Sequence, residues 1–174
     1  MKPQRLFISP NKHSIPDTEV KGFFRLTASS SREELREIES ALNAASSELE
    51  DLTGWGFGEK NVTLYYSRLL QGDRIPYAPC TVTSMADAAG DLLDTDALIS
   101  GSQFPRARRT MNHVTVSVRG GYAEVPSDWQ ELIMRLALVR MDSKGMIEEG
   151  SASRRSAEQE ILHQARLKAY ILVI

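Results

Sequence analysis

The run Val114-Thr115-Val116-Ser117-Val118-Arg119-Gly120-Gly121-Tyr122-Ala123-Glu124-Val125-Pro126-Ser127-Asp128-Trp129 changes its period half-way along. Val114, Val116 and Val118 alternate with Thr115 and Ser117, the two-residue period of a strand with one buried face. Gly120-Gly121 stops the strand. Val125-Pro126 then leads into Ser127-Asp128, where either side chain can cap a helix and Pro126 bars its backward extension. In that helix Trp129, Leu132, Ile133, Leu136, Ala137 and Arg140 share one face, while Met134, Leu138 and Met141 make much of the other face apolar. A helix apolar nearly all round is buried on more than one side. The segment 128–142 is therefore either the central core helix or one that also forms a subunit interface.

Upstream, Ser31 and Glu34 form an S-x-x-E capping box, and Leu35, Ile38, Leu42, Ala45, Leu49 and Leu52 follow at spacings of three and four. That pattern predicts a helix with one apolar stripe, ended by Gly54, and an acidic, solvated opposite face. Val62, Leu64 and Tyr66 alternate with polar neighbours in a strand, and Cys80-Thr81-Val82-Thr83 after Pro76 and Pro79 make a second short one. The segment 87–102 is a turn followed by a short strand or a short helix. Three or four short strands between helices make a small β-element rather than a large sheet. The expected core is Leu35, Ile38, Leu42, Leu49, Leu52, Trp129, Ile133 and Leu136.

The ends differ in character. Residues 1–30, with Pro3, Pro10 and Pro16, are expected to form an extended arm whose Phe23-Phe24 pair lies on its own body or on a neighbouring subunit. Residues 146–153 are a linker. A third helix, about 154–168, carries Ile161, Leu162, Ala165 and Ala169 on one side. The chain finishes in Tyr170-Ile171-Leu172-Val173-Ile174, which either completes that helix or docks on a partner.

The 174 residues carry a net charge of −2, which removes the global argument for a nucleic-acid binder. The charge is nonetheless polarised, from −5 over residues 1–100 to +3 over 101–174, a distribution suited to head-to-tail contacts. One cysteine, Cys80, excludes an intramolecular disulfide and any multi-cysteine zinc site. The amino terminus has too short an apolar run for a signal peptide, and a soluble, cytosolic product is expected.

Chemistry finds no footing. His13, His113 and His163 stand at no metal-ligand spacing from one another or from Cys80, and a Cys80–His113 nucleophilic pair has no sequence support. Gly54-Trp55-Gly56-Phe57-Gly58 follows a helix and precedes a strand, the reverse of a phosphate loop. Arg106, Arg108 and Arg109, with Arg154-Arg155, are the basic clusters, and neither has the interleaved aromatics of a single-strand binder. No catalytic residue, metal site or cofactor is expected.

The helix ending Leu52-Thr53-Gly54-Trp55-Gly56-Phe57, the Pro79-Cys80-Thr81-Val82 strand entry and the strand-Gly120-Gly121-Tyr122 turn and Val125-Pro126 step into a long helix stand in a definite order. In that order residues 31–145 resemble the head–tail connector (adaptor) family of long-tailed bacteriophages. The resemblance implies a mainly helical α+β subunit, a small helical bundle with a short-stranded β-element inserted between its first and second long helices. It divides the chain into an arm (1–30), a connector core (31–145) and a linker, helix and apolar tail (146–174). It also implies a non-enzymatic ring of about twelve copies in the virion neck, made in the host bacterial cytoplasm. The expected partners are the portal protein, a stopper or tail-completion protein, further copies of itself, and genomic DNA passing without sequence-specific contact; no membrane is involved. Tyr170, Ile171, Leu172, Val173 and Ile174 would bind the portal, and Met134, Leu138, Met141, Phe23, Phe24, Arg106, Arg108 and Arg109 would face a neighbouring subunit. The alternative is a small nucleic-acid-binding regulator using Arg106, Arg108, Arg109, Arg154 and Arg155 on phosphates.

Overall fold

The structure, a computed structural model, describes residues 3–8, 15–27, 29–101, 103–145 and 151–171. In chain order the elements are β1 (Gln4–Ile8), α1 (Asp17–Phe23), α2 (Arg32–Thr53), β2 (Lys60–Leu69), β3 (Cys80–Ala86), α3 (Thr95–Leu98), β4 (Ile99–Ser100), β5 (Arg106–Ala107), β6 (Met111–Gly120), α4 (Ser127–Gly145) and α5 (Ser151–Ile171). The class is α+β, mainly helical, with every strand but β1 inserted between α2 and α4. The chain forms two compact units, one of residues 1–11 and 54–123 and one of residues 12–53 and 124–174. These limits cut across the three-part division drawn from the sequence.

The first unit is built on an antiparallel sheet in the order β1-β2-β6-β3. The valine alternation of β6 sets its two faces. Register pairs Val62 with Val118, Leu64 with Val116 and Tyr66 with Val114, so all six point to one side and are buried. Across the other edge of β6, Val82 and Met85 meet Val118 and Val116 on either side of a bulge. Each fully buried aliphatic side chain contributes about 1.5–3 kcal/mol. The opposite face carries Thr63, Tyr65, Thr115 and Ser117, all half-buried. The ambiguous segment 87–102 holds both alternatives: Asp94 caps the single turn of α3, accepting from the Asp96 and Ala97 amides, and Ile99 then enters the two-residue strand β4, paired with β5.

In the second unit α2, α4 and α5 pack on one another. Ser31 caps α2 as expected, its Oγ accepting from the Glu34 amide at 3.1 Å. Ile38, Leu42 and Leu49 are buried against Trp129, Leu132, Ile133 and Leu136 of α4 and Ile161 and Ala165 of α5. Leu35, expected in the core, is 41% exposed, because the first turn of α2 stands before the stripe becomes covered at Ile38. Leu52 is half-buried. The first turn of α4 closes on the Pro126 carbonyl, which accepts from Trp129 at 2.8 Å and Gln130 at 3.0 Å. Arg140 of α4 pairs with Glu48 of α2 and with Glu158 of α5 at 3.6 Å, joining the three helices. The arm is not uniformly extended: residues 4–8 are the sheet's edge strand and residues 17–23 are a helix, with Ile15 and Val20 buried. The third helix begins at Ser151, earlier than expected, and residues 146–150 of the expected linker lie outside the described residues.

Candidate assembly site

The turns among the motifs that carried the resemblance, at Gly54-Trp55-Gly56, Pro79-Cys80 and Gly121-Tyr122, converge in the first unit. Gly54, with φ of 74°, accepts at its carbonyl from the Tyr77 and Ala78 amides at 2.7 and 3.1 Å. Gly56 donates to Ala78 and accepts from Tyr122, while the Gly121 amide donates to the Tyr77 and Pro79 carbonyls at 3.1 and 2.9 Å. Three chain turns far apart in sequence are therefore tied by backbone hydrogen bonds. The ties require glycine: a Cβ on Gly56 would lie 2.6 Å from the Gly121 Cα, and one on Gly121, where φ is 98°, would overlap the Gly58 carbonyl. Trp55 stacks on Tyr122 with ring centroids 5.8 Å apart and meets the edge of Phe104 at 5.3 Å. This cluster fixes the ends of β2, β3 and β6, and with them the loops that the sheet displays.

One displayed element is a basic ribbon. The Pro105–Arg108 segment is held on both sides by backbone: Pro105 accepts from Ile75, the Ala107 amide donates to Asp73 and its carbonyl accepts from Gly72, and Arg108 donates to Leu98. Arg108 Nε also donates to the Ile99 carbonyl at 3.0 Å. Ala107 is buried, whereas Arg106, Arg108 and Arg109 are exposed. Arg74 sits opposite Arg106 in an antiparallel bridge and lies 5.7 Å from the Phe104 ring. Burial, and after it the Arg106 charge, lower the Arg74 pKa.

Cys80 and His113 do not meet. Cys80 pairs with Gly120, whereas His113 lies seven residues back along β6, about 23 Å at strand rise. The thiol is buried, donates to the Pro76 carbonyl at 3.5 Å, and is pushed up to about 12 by desolvation. It is a small core side chain. His113, exposed with φ of 50°, shares a 2.7 Å hydrogen bond between Nδ1 and the Tyr65 hydroxyl. Among the described residues no group of His, Cys, Asp and Glu is placed to hold a metal, and no helix is long and apolar enough to cross a membrane.

No family model matches the chain, and no curated protein does. Solved structures do. A chain of the virion of a native gene transfer agent particle superposes with a TM-score of 0.66 at 20% identity, over 95% of each chain. A chain from the neck of the empty particle, computed with C6 symmetry, gives 0.59 at 22% identity over 83% of this chain and 88% of its own length. A third, from the neck of the native particle computed with C12 symmetry, gives 0.56 at 20% identity over 95% of each. The chain shares the fold of these particle chains. At these identities the likeness is one of fold.

Within that fold the residues expected at interfaces fall into four groups. Arg106, Arg108 and Arg109 are displayed together on the first unit, while Arg155 belongs to the second and is exposed; the Arg154 side chain is outside the described residues. On α4, Met134 is only 6% exposed, Met141 is half-buried and Leu138 is 41% exposed. Met134 is thus part of its own subunit's packing, and Leu138 is the outward apolar residue. Phe23 and Phe24, both half-buried, meet edge to face at 5.1 Å. Of the apolar tail, Tyr170 and Ile171 complete the backbone of α5; their side chains, and all of Leu172, Val173 and Ile174, lie outside the described residues. Arg74 was missed, standing alone in the sequence and gaining its neighbours only through the pairing of strands.

Proposed function

We propose that this protein is a structural subunit of a phage-like head–tail neck: an adaptor that forms a ring beneath the portal, receives a stopper or tail-completion protein below, and leaves a channel for DNA. The observation that carries this reading is the likeness over 95% of both chains to a chain of a neck computed with C12 symmetry. The order of turn motifs in the sequence agrees with it, and those motifs form the cluster on which the sheet loops depend. A ring needs two different faces on each subunit, which the polarised charge and the exposed arginine ribbon suit. The role requires no chemistry. The apolar tail 170–174 is the proposed portal contact, and Leu138 with Met141 and the Phe23-Phe24 pair are proposed to face neighbouring copies.

The test is genetic and visual. Particles made without this chain are expected to accumulate as DNA-filled heads separated from tails, and supplying the chain in trans is expected to join them. Normally tailed particles in its absence would contradict the proposal.

A further inference from the structure

Arg74 and Arg106 face each other across an antiparallel bridge, an arrangement that costs stability unless negative charge lies over it. Arg108 and Arg109 extend the same ridge, and among the described residues none of the four is in an ion pair. The backbone bonds on both flanks hold the ridge rigid, so little order need be lost when an anionic partner meets it.

A surface of the second unit has the opposite character. A cleft of about 510 Å³ opens beside the start of α4, and Pro16, Val125 and Met134 give it an apolar floor. Glu19, Glu124 and Glu131 rim it, each exposed and without an ion pair among the described residues. Asp87 and Asp94, by contrast, each already commit one carboxylate oxygen to two amides of their own turns. Arginine suits such a cleft, since its stem packs on apolar surface while its fork takes carboxylates.

We infer that the ridge of Arg74, Arg106, Arg108 and Arg109 docks in the Glu19, Glu124 and Glu131 cleft of a second copy of this chain, head to tail. The occupant is a second copy because the two surfaces are complementary in charge and both belong to the same chain. A long polyanion fits less well, since Asp96 lines the same cleft as Arg108 and would repel it. Different surfaces meet, so the contact is heterologous and propagates until a ring closes. This inference rests on the ring proposed above and names the surfaces that make it.

Charge reversal tests it. Arg106→Glu with Arg108→Glu, and separately Glu124→Arg with Glu131→Arg, alter exposed positions, and unchanged circular dichroism and melting are the folding control. Each variant alone is expected to weaken self-association by roughly 100-fold in sedimentation or mass photometry. An equimolar mixture of the two is expected to assemble again, with the variants alternating, and so is one chain carrying all four changes. Wild-type-like assembly by either reversed variant, or no rescue by the mixture, overturns the contact while leaving the ring reading intact. Loss of salt-sensitive duplex binding in the arginine variant, with assembly unchanged, assigns the ridge to phosphate and overturns it too. A wild-type chain that never assembles, alone or with portal, contradicts the ring reading and the contact with it.

Discussion

The turn cluster of the first unit and the three-helix packing of the second are stable for different reasons. In the cluster, Gly56 and Gly121 let backbone approach backbone so closely that no room is left for a methyl group, and Gly54 supplies a φ of 74°. In the helices, Leu42, Leu49, Ile133 and Leu136 are held by apolar contact, and a smaller side chain leaves a void without breaking a hydrogen bond. The first kind of site is intolerant of any side chain; the second loses stability in proportion to volume. A neck ring in this proposal therefore has a stiff element that displays charge and a helical element that tolerates adjustment.

The largest expected effect is at the cluster. Gly121→Ala must overlap the Gly58 carbonyl and hold alanine at φ of 98°, and is expected to cost about 4 kcal/mol or more, read as loss of soluble folded protein or a collapse in melting temperature. The control is Gly90→Ala, whose φ is 90° but which has open space around it; about 1 kcal/mol is expected there. Similar losses at the two glycines would show that backbone angle, not close approach, governs the cluster. Next comes Leu136→Ala in the helical unit, expected to cost about 3 kcal/mol by chemical denaturation with cooperativity retained.

Smaller effects sharpen the contrast. Cys80 ionises near 9 when unfolded and at about 12 in the fold, because burial penalises the thiolate. Its contribution to stability is complete below pH 9 and is lost as pH rises toward 12, since only the unfolded chain gives up the proton early. The stability advantage of the wild type over Cys80→Ala should shrink between pH 9 and pH 11; an advantage independent of pH would contradict the burial. Arg140→Ala removes the links to Glu48 and Glu158, all about one third exposed, and is expected to cost about 1 kcal/mol, decreasing as salt is added.

What could be read in the sequence follows the range of the interactions. The alternation of Val114, Val116 and Val118 and the stripe from Ile38 to Leu49 are local patterns, and both elements form where they predict. Leu35 continues the same stripe yet is exposed, because periodicity shows which face a residue is on and not whether a partner covers it. Met134 shows the converse. The outer face of α4 is apolar in sequence, but Met134, in the floor of the cleft with Pro16 and Val125, is only 6% exposed, leaving Leu138 outward. Gly54, Gly56 and Gly121 were visible as helix and strand stops, while their meeting depends on long-range pairing that no spacing encodes. Arg74 became part of the basic ridge for the same reason.

The most direct test of the account is an image of the purified protein, alone and mixed with portal, classified by rotational symmetry. Closed rings of about twelve subunits are expected, as in the C12 neck whose chain has a similar fold. Monomers under both conditions, or only closed two-fold dimers built from identical surfaces, would contradict it.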